Sequence, residues 1–256
     1  MLKPIESIET PALLIEKSIM EANLDRMQKL ANDNKIMLRP HIKTHKMPRL
    51  AKLQVARGAR GIACSKVSEA EVFAKAGFKD IQIANIIIGD EKLERLKQLS
   101  LNTTRLSVAC DSLAGFHKIR KYFEKEGKLD VFIKVDTGFR RAGISRFEDI
   151  RALAIEIIHT KGIKFAGLLT HAGQAYSAED IGELRQIGEH EGRIMTEIKL
   201  QLSRHGIEVP EVSVGSTPGA KWSVYGEGVT ELRAGNYIFY DMIQVGLGSA
   251  EIENCA

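Results

Sequence analysis

Eight short apolar runs recur along this 256-residue chain and alternate with longer amphipathic stretches. Each run is rich in β-branched residues, which is typical of a buried strand, and each stretch repeats its apolar side chains at helical spacing. Strands that alternate with helices imply a parallel sheet covered by helices. The predicted strands are Ile36–Leu38, Gly61–Cys64, Ile81–Ile88, Leu106–Ala109, Val131–Val135, Phe165–Leu169, Val212–Val214 and Val229–Leu232.

Amphipathic helices are predicted between these strands. The longest, Ala178–Arg204, is predicted to carry an extra turn or a break near Gly188 and Gly192. Eight strand–helix units predict the α/β class and a (β/α)8 TIM barrel, a fold of about 250 residues. The alternative is a doubly wound sheet, but its GxGxxG turn does not follow the first strand. The other helices are predicted near residues 19–31 and over Leu50–Ala56, Ser68–Ala76, Asp90–Leu99, Leu113–Glu124 and Arg146–His159.

Charge and cysteine content argue against several classes of protein. Thirty-seven Lys and Arg residues interleave with 33 Asp and Glu residues, so no nucleic-acid partner is expected. No apolar run approaches the roughly 20 residues of a membrane span, and acidic residues interrupt the N-terminus, so neither a membrane partner nor a signal peptide is expected. Three cysteines without a CxxC pair predict buried free thiols at Cys64 and Cys110 and a cytoplasmic protein.

Functional side chains in a barrel stand after the carboxyl ends of the strands. The first predicted strand is followed by the basic string RPHIKTHK at 39–46. Extended backbone alternation would place His41, Lys43 and His45 on one side. A lysine among cationic groups has a lowered pKa, so Lys43 is a candidate to form a Schiff base. The alternative is a solvated basic loop that binds a phosphate or nothing.

Three later loops carry glycine beside polar residues. DTGFRRAG at 136–143 follows the fifth strand, and it is either a tight turn with exposed arginines or a loop that directs an arginine at an anionic oxygen. GSTPG at 215–219 and RAGNY at 233–237 follow the seventh and eighth strands, where such barrels recurrently bind phosphate. With a Schiff-base lysine, these loops predict pyridoxal 5′-phosphate as the cofactor.

These strings together resemble the D-threonine aldolase and D-serine dehydratase family. The family comprises fold-type III pyridoxal-phosphate enzymes related to alanine racemase, and its motifs occur here in the family's order, from TPALL at 10–14 to ELRAGNY at 231–237. The resemblance implies a barrel of the alanine racemase N-terminal type. It also implies a set of cofactor-binding residues, namely Lys43, Arg141, His171, Tyr176, Ser216, Thr217, Gly235 and Asn236.

The resemblance assigns a role to most of these residues. Lys43 would hold the cofactor as a Schiff base, and Arg141 would contact its phenolic oxygen. The loops at 216–217 and 235–236 would hold the phosphate. His171 and Tyr176 both follow the sixth strand, where the family places a residue near the pyridine nitrogen, and the choice between them stays open. Arg233 matches an arginine of the racemases without a settled role.

The implied activity is that of a lyase on β-hydroxy D-amino acids, giving glycine and an aldehyde. His41 or His45 would assist Lys43 as acid or base, or would only position and pack the loop. The alternatives are a D-serine dehydratase-like ammonia-lyase, a pyridoxal-phosphate-binding barrel without catalysis, and a degenerate protein without activity. The expected partners are a small D-amino acid and a second copy of the chain in a homodimer.

The sequence departs from the family in one respect. Family members continue into a β-rich C-terminal domain whose His-x-Cys pair binds a divalent metal, Mn or Zn, and no such pair occurs in these 256 residues. We therefore expect residues 1–256 to form the barrel alone, with that domain absent or truncated, no metal ligands, compromised activity and a weaker dimer. The segment 219–231 is either a cover of the site or an ordinary surface loop.

Overall fold

A closed ring of eight parallel strands forms the centre of the protein. The computed structural model describes residues 4–124 and 127–256. The strands follow the order β1-β8-β7-β6-β5-β4-β3-β2. Hydrogen bonds from Arg60 N to Leu38 O (2.9 Å) and from Ala63 N to Pro40 O (2.8 Å) close the ring between β1 and β2. The strands are β1 (Met37–Leu38), β2 (Ile62–Cys64), β3 (Asp80–Ile86), β4 (Arg105–Cys110), β5 (Leu129–Lys134), β6 (Ile163–Leu169), β7 (Glu211–Val214) and β8 (Glu231–Leu232).

Helices surround this ring, so the predicted (β/α)8 barrel is confirmed. Each predicted strand and helix is present with bounds shifted by at most three residues at either end. Two one-turn helices, α8 and α9, were not predicted because they are too short to show a helical period. Within the described residues the helices are α1 (Lys17–Asp33), α2 (Pro48–Ala56), α3 (Val67–Lys75), α4 (Asp90–Ser100), α5 (Leu113–Phe123), α6 (Phe147–Ile158), α7 (Ile181–Arg204), α8 (Ala220–Ser223) and α9 (Met242–Gly246).

The longest helix, α7, runs without interruption, so the predicted break is wrong. Its glycines serve a close contact instead. A Cβ atom at Gly188 would lie 2.9 Å from the Cβ of Trp222, and one at Gly192 would lie 2.7 Å from the carbonyl oxygen of Ser223. Helix α8, within the segment that could have been a cover, is therefore packed tightly against α7.

The two faces of the strands differ in chemistry. The outward faces pack against the helices in a large apolar core that includes Ile83, Val108 and Ile133. The inward faces carry many polar side chains, such as the fully buried Gln82 and Ser107. The apolar residues on the inward faces form a small cluster apart from the main core, consisting of Ala109, Phe132, Ala166 and Leu169. The interior of this barrel is thus far more polar than the Val, Ile and Leu filling usual for the fold.

An ion-pair network fills the amino-terminal end of the barrel. Arg39 is fully buried and pairs with Glu231 and Asp80, each at 2.7 Å. Arg105 pairs at 2.7 Å with Asp130 and with a further acidic residue at the start of β7. Every buried charge of this network has an opposite charge beside it, which offsets the cost of removing the charges from water.

Other general expectations concern membranes and thiols. Over residues 4–124 and 127–256, no helix combines the length and the apolar character that crossing a membrane requires. Cys64 and Cys110 are buried free thiols, as predicted. Burial raises the pKa of the Cys110 thiol to about 11, so this side chain stays protonated and unreactive.

Candidate active site

Lys43 lies directly after β1 in a 3-10 turn, Ile42–Thr44. Because the turn is not extended, strand alternation does not hold here. The backbone N–H of Lys43 donates to Nδ1 of His41 (3.3 Å). The end of the turn is held to α3 by an ion pair between Lys46 and Glu69 at 3.3 Å. The sequence therefore fixes the backbone of Lys43 from both sides.

Cationic side chains converge on one cavity at the carboxyl end of the barrel. Burial lowers the pKa of Lys43, and the charges of Arg141 and Arg233 lower it further, while Glu69 opposes the change. Burial, with the same two arginines, lowers the pKa of Lys134 to about 8. Among the described residues no aspartate or glutamate lines this cavity. The lining comprises His41, Lys43, Ala84, Lys134, Arg141, His171, Tyr176, Gly215, Ser216, Thr217, Arg233, Gly235 and Asn236.

The loop after β5 holds Arg141 over the cavity. One carboxylate oxygen of Asp136 accepts the backbone N–H groups of Gly138 and Arg140, each at 3.0 Å. The guanidinium carbon of Arg141 lies 4.7 Å from the centre of the Phe139 ring, within the range of a cation–π contact. Of the two arginines in this loop, Arg141 is the one that lines the cavity.

Two neutral histidines offer opposite hydrogen-bonding groups to the cavity. Nδ1 of His171 contacts the carbonyl oxygen of Gly215 at 3.2 Å. A carbonyl only accepts, so Nδ1 carries the proton and Nε2 keeps its lone pair. His41 has the reverse tautomer, because its Nδ1 accepts the N–H of Lys43. Burial, then the charge of Lys43, lowers the pKa of both rings, that of His171 to about 3.

His45 is not among the residues that line the cavity. Its Nδ1 accepts the backbone N–H of Met47 at 3.0 Å, so its Nε2 donates to the side-chain oxygen of Gln54 at 3.2 Å. The amide of Gln54 in turn donates to the hydroxyl of Tyr237 at 3.0 Å. His45 thus joins the lysine turn to α2 and to the loop after β8.

The loops after β7 and β8 meet at the cavity. The hydroxyl oxygen of Thr217 accepts the backbone N–H groups of Gly235 (3.2 Å) and Asn236 (2.9 Å), and Ser216 lies on the same wall. A Cβ atom at Gly235 would lie 2.8 Å from the carbonyl oxygen of His41. Glycine therefore allows this loop to approach the lysine turn. We call residues 215–217 with 235–236 the anion cup.

Tyr176 also lines the cavity, in a 3-10 turn, Gly173–Ser177, that follows β6. Burial raises the pKa of its hydroxyl, and Asp241 adds to the shift, whereas hydrogen bonds to Thr217 and Gln244 oppose it. Tyr176 therefore lies beside the anion cup.

Of two further cavity residues, Lys134 had no role in the sequence interpretation and Arg233 had no settled one. Lys134 ends β5, and its ammonium group contacts the carbonyl oxygen of Ala84 at 3.4 Å. Arg233 follows β8 and donates to the hydroxyl of Ser213 at 2.5 Å and to the carbonyl oxygen of Thr170. Alternation within β5 is the signal that could have identified Lys134, because it places this residue on the inward face with Phe132.

No metal site accompanies this cavity in the part of the chain that the structure describes. There, no group of three or more His, Cys, Asp or Glu side chains is arranged to hold a metal ion. The lining of the cavity is cationic and neutral polar, with Lys43 beside it, and this chemistry suits an anionic ligand.

Fold and site together define a class of protein: a (β/α)8 barrel with a lysine after its first strand, facing an anion cup on its last two. The chain belongs to the family described as alanine racemase, N-terminal domain, whose model matches residues 15–242. The same fold occurs in alanine racemase from E. faecalis, with a TM-score of 0.69 and 20% identity over 88% of this chain and 58% of that one.

Lyases are among the more similar relatives. A D-threonine aldolase of Arthrobacter sp. is 35% identical over 93% of this chain and 63% of its own length. A D-threo-3-hydroxyaspartate dehydratase of Delftia sp. strain HT23 is 34% identical over 98% of this chain and 66% of its own. The crystal structure of D-threonine aldolase from Filomicrobium marinum has a TM-score of 0.90 at 30% identity, over 95% of this chain and 66% of that one. The chain spans just under two thirds of the length of these relatives.

Proposed function

We propose that this chain binds pyridoxal 5′-phosphate through Lys43 and that the whole protein is a lyase acting on β-hydroxy D-amino acids. The proposed reaction gives glycine and an aldehyde. The observation that carries the proposal is the cavity, where cationic side chains and loop N–H groups surround Lys43 without a lining carboxylate. The relatives named D-threonine aldolase and D-threo-3-hydroxyaspartate dehydratase support the substrate class.

The residues present fit this cofactor. Its phosphate and phenolic oxygen are anionic, and the cavity offers cations and backbone N–H groups. Its aldehyde needs a neutral amine, and burial with nearby arginines lowers the pKa of Lys43. The close approach of Gly235 to His41 leaves no room for a side chain on the loop that would hold the phosphate.

Most of the cavity residues then have a proposed part. When bound, the cofactor supplies an aldehyde for an amine and a ring that withdraws electrons. Lys43 would provide the amine, and Arg141 would face the phenolic oxygen. The anion cup would hold the phosphate through its hydroxyl and N–H groups. His171 or Tyr176 would lie near the pyridine nitrogen.

The histidine tautomers suit proton movement. Nε2 of His171 has a free lone pair and can accept a proton from a substrate hydroxyl, whereas Nε2 of His41 carries a proton it can donate. Nearby cations lower the pKa of His171, so a bound anion that neutralises them raises it. His45 supports the lysine turn from outside the cavity.

A dehydratase is the second candidate, because the Delftia relative of that activity is almost as similar as the Arthrobacter aldolase. The same cavity would serve both reactions. Incubation of the protein with a β-hydroxy D-amino acid separates them, because an aldolase releases glycine and an aldehyde, and a dehydratase releases a keto acid and ammonia. A barrel that only binds the cofactor releases neither pair.

Reduction with borohydride tests the role of Lys43. The protein is incubated with pyridoxal 5′-phosphate, reduced, digested and mapped by mass spectrometry. We expect the pyridoxyl group on Lys43 in the wild type and in Lys134→Ala, which removes the other cavity lysine, and no incorporation in Lys43→Ala. Incorporation mapped to Lys134, or none in the wild type, would overturn the proposal.

Three further proposals rest on the sequence alone. They are that the protein is a homodimer and that the whole protein uses a divalent metal, as the resemblance implies, and that it is cytoplasmic, as its cysteine content implies. Sedimentation analysis tests the first, activity after chelation and metal addition the second, and cell fractionation the third. A monomer at micromolar concentration would contradict the dimer.

A further inference from the structure

A buried carboxylate ties two loops of the site together from behind. Glu191 lies in the middle of α7 and is fully buried. One of its oxygens accepts the backbone N–H of Ala172 at 3.0 Å and that of Gly215 at 3.2 Å. The first N–H belongs to the loop after β6, and the second belongs to the loop after β7. The side chain thus links two loops that are more than forty residues apart in the sequence.

Each bonded residue is the direct neighbour of a proposed ligand-binding group. Ala172 follows His171, and Gly215 precedes Ser216. The Gly215 peptide also joins the two ends of the arrangement, because its N–H is held by Glu191 and its carbonyl accepts Nδ1–H of His171 at 3.2 Å. Through Gly215, Glu191 is therefore linked both to the tautomer of His171 and to the anion cup.

The packing of α7 brings Glu191 close to these loops. Gly188 and Gly192 flank Glu191 on the helix and allow α8 to approach, which brings the loop after β7 toward the carboxylate. The second oxygen of Glu191 is buried and has no hydrogen-bond partner among the described residues. A buried polar atom left unpaired costs free energy, so packing alone does not explain a glutamate here.

We propose that Glu191 is a positioning residue: by holding the backbone of Ala172 and Gly215, it fixes the His171 tautomer and the geometry of the anion cup. The effect of Glu191 on ligand binding rests on the proposed binding of pyridoxal phosphate. Its effect on the two loops and on the His171 tautomer does not. Glu191→Gln keeps an oxygen that accepts both N–H groups. Glu191→Met fills the same space and accepts neither.

Hydrogen exchange and nitrogen NMR on the protein without cofactor test the structural content. In Glu191→Met we expect the amides of Ala172 and Gly215 to exchange about tenfold faster, as the loss of a hydrogen bond implies. We also expect the 15N signals of His171 to show a mixture of tautomers. In Glu191→Gln both readouts stay close to the wild type. Unchanged exchange and an unchanged tautomer in Glu191→Met would overturn the inference.

Comparison of two ligands tests the consequence for the anion cup. Pyridoxal lacks the phosphate, so the ratio of its dissociation constant to that of pyridoxal 5′-phosphate reports on the cup alone. We expect this preference for the phosphate to fall about tenfold in Glu191→Met and to recover in Glu191→Gln. Met195→Ala, which removes a buried apolar side chain one turn further along α7, controls for loss of stability and leaves the ratio unchanged.

The outcomes separate the two ideas. A wild type that binds neither ligand contradicts the proposed function, while the exchange and tautomer measurements still decide the role of Glu191. A wild type that binds both ligands, with an unchanged ratio in Glu191→Met, contradicts the proposed role of Glu191 and leaves the proposed function standing. If Glu191→Met does not fold, Glu191→Asp, which is shorter by one methylene, takes its place in each measurement.

Discussion

At the scale of single residues, the amino group of Lys43 is governed by its neighbours. Burial favours the neutral amine, and Arg141 and Arg233 add repulsion against the ammonium form. The cation–π contact with Phe139 holds one of these arginines over the cavity. The reactivity of this lysine is thus a property of the loop after β5 as much as of its own turn.

Removal of Arg141 should make Lys43 less reactive near neutral pH. In Arg141→Met one repulsive charge is lost, so the pKa of Lys43 rises and less of the lysine is neutral at a given pH. We expect the pH profile of its reaction with an amine-directed reagent, followed by mass mapping, to move to higher pH.

The neighbouring arginine provides the control. Arg140→Met removes a charge from the same loop but not from the cavity lining, so the profile of Lys43 should stay in place. An equal shift in both variants would mean that the loop acts through its overall charge and not through the position of Arg141.

At the scale of secondary-structure elements, α7 and α8 pack so closely that two positions of α7 have no room for a side chain. The glycines of α7 that face α8 cost helix propensity, roughly 1 kcal/mol each relative to alanine. The structure keeps them because the backbone of α8 occupies the space that a side chain would need. At these two positions the packing of α7 against α8 therefore outweighs the helix propensity of the residue.

Gly192→Ala should therefore destabilise the protein although alanine favours helices. The new Cβ would lie 2.7 Å from the carbonyl oxygen of Ser223. Overpacking of this kind costs roughly 1–3 kcal/mol, which outweighs the gain in propensity. Thermal unfolding should show a lower Tm, whereas Gly246→Ala in α9, where nothing lies within 4 Å of the new Cβ, should hold or raise it.

The elements themselves were largely predictable, and the site was so only in part. Apolar β-branched runs identify strands because burial on a sheet demands them, and each predicted strand is present. The turn at Ile42–Thr44 was missed because alternation assumes extended backbone. Glu191 gave no local signal: a glutamate on an amphipathic helix is usually exposed, and only the fold reveals that two distant loops meet it.

At the scale of the whole molecule, the barrel interior separates two charge environments. Paired charges fill the amino-terminal end, and cations without lining carboxylates occupy the cavity at the other end. Glu231 and Ser213 connect them, because the Ser213 hydroxyl lies 2.5 Å both from the carboxylate of Glu231 and from Arg233. Burial opposes ionisation of Glu231, but Arg39 and Ser213 hold its pKa below the ordinary value.

Arg39→Met should be among the most destabilising changes outside the cavity. It leaves the fully buried Glu231 without its ion-pair partner, and breaking a buried pair in this way costs roughly 3–5 kcal/mol. Arg57→Met breaks a pair with Asp25, which is 67% exposed, and should cost less than about 1 kcal/mol. Denaturant unfolding of both variants measures the difference, and equal losses would contradict the assigned importance of the network.

Acid should destabilise the protein through its partly buried histidines. The pKa of His171 is about 3 in the folded protein, and burial also lowers the pKa values of His41 and His45. In the unfolded chain each titrates near 6.5, so below that pH the unfolded state binds more protons. The contribution of these histidines to stability is therefore complete above about pH 6.5 and is lost as the pH falls. For His171 the loss continues down to about pH 3, at up to about 1.4 kcal/mol per pH unit.

The measurement is the free energy of unfolding against pH. Replacement of His171 by Gln should make the slope between pH 6 and 4 shallower, because one proton-binding difference is removed. A slope identical to that of the wild type would mean that carboxylates alone account for the acid sensitivity.

The hydroxyl of Thr217 has a consequence for selectivity. It already accepts hydrogen bonds from the N–H groups of Gly235 and Asn236, so these two donors have a partner before any anion binds. An incoming anion must displace an acceptor that belongs to the protein, and the gain is only the difference between the old bond and the new one. Weak acceptors such as halide ions gain little from this exchange, whereas a doubly charged oxyanion gains much. If the loop holds a phosphate as proposed, this competition favours the phosphate over halide ions.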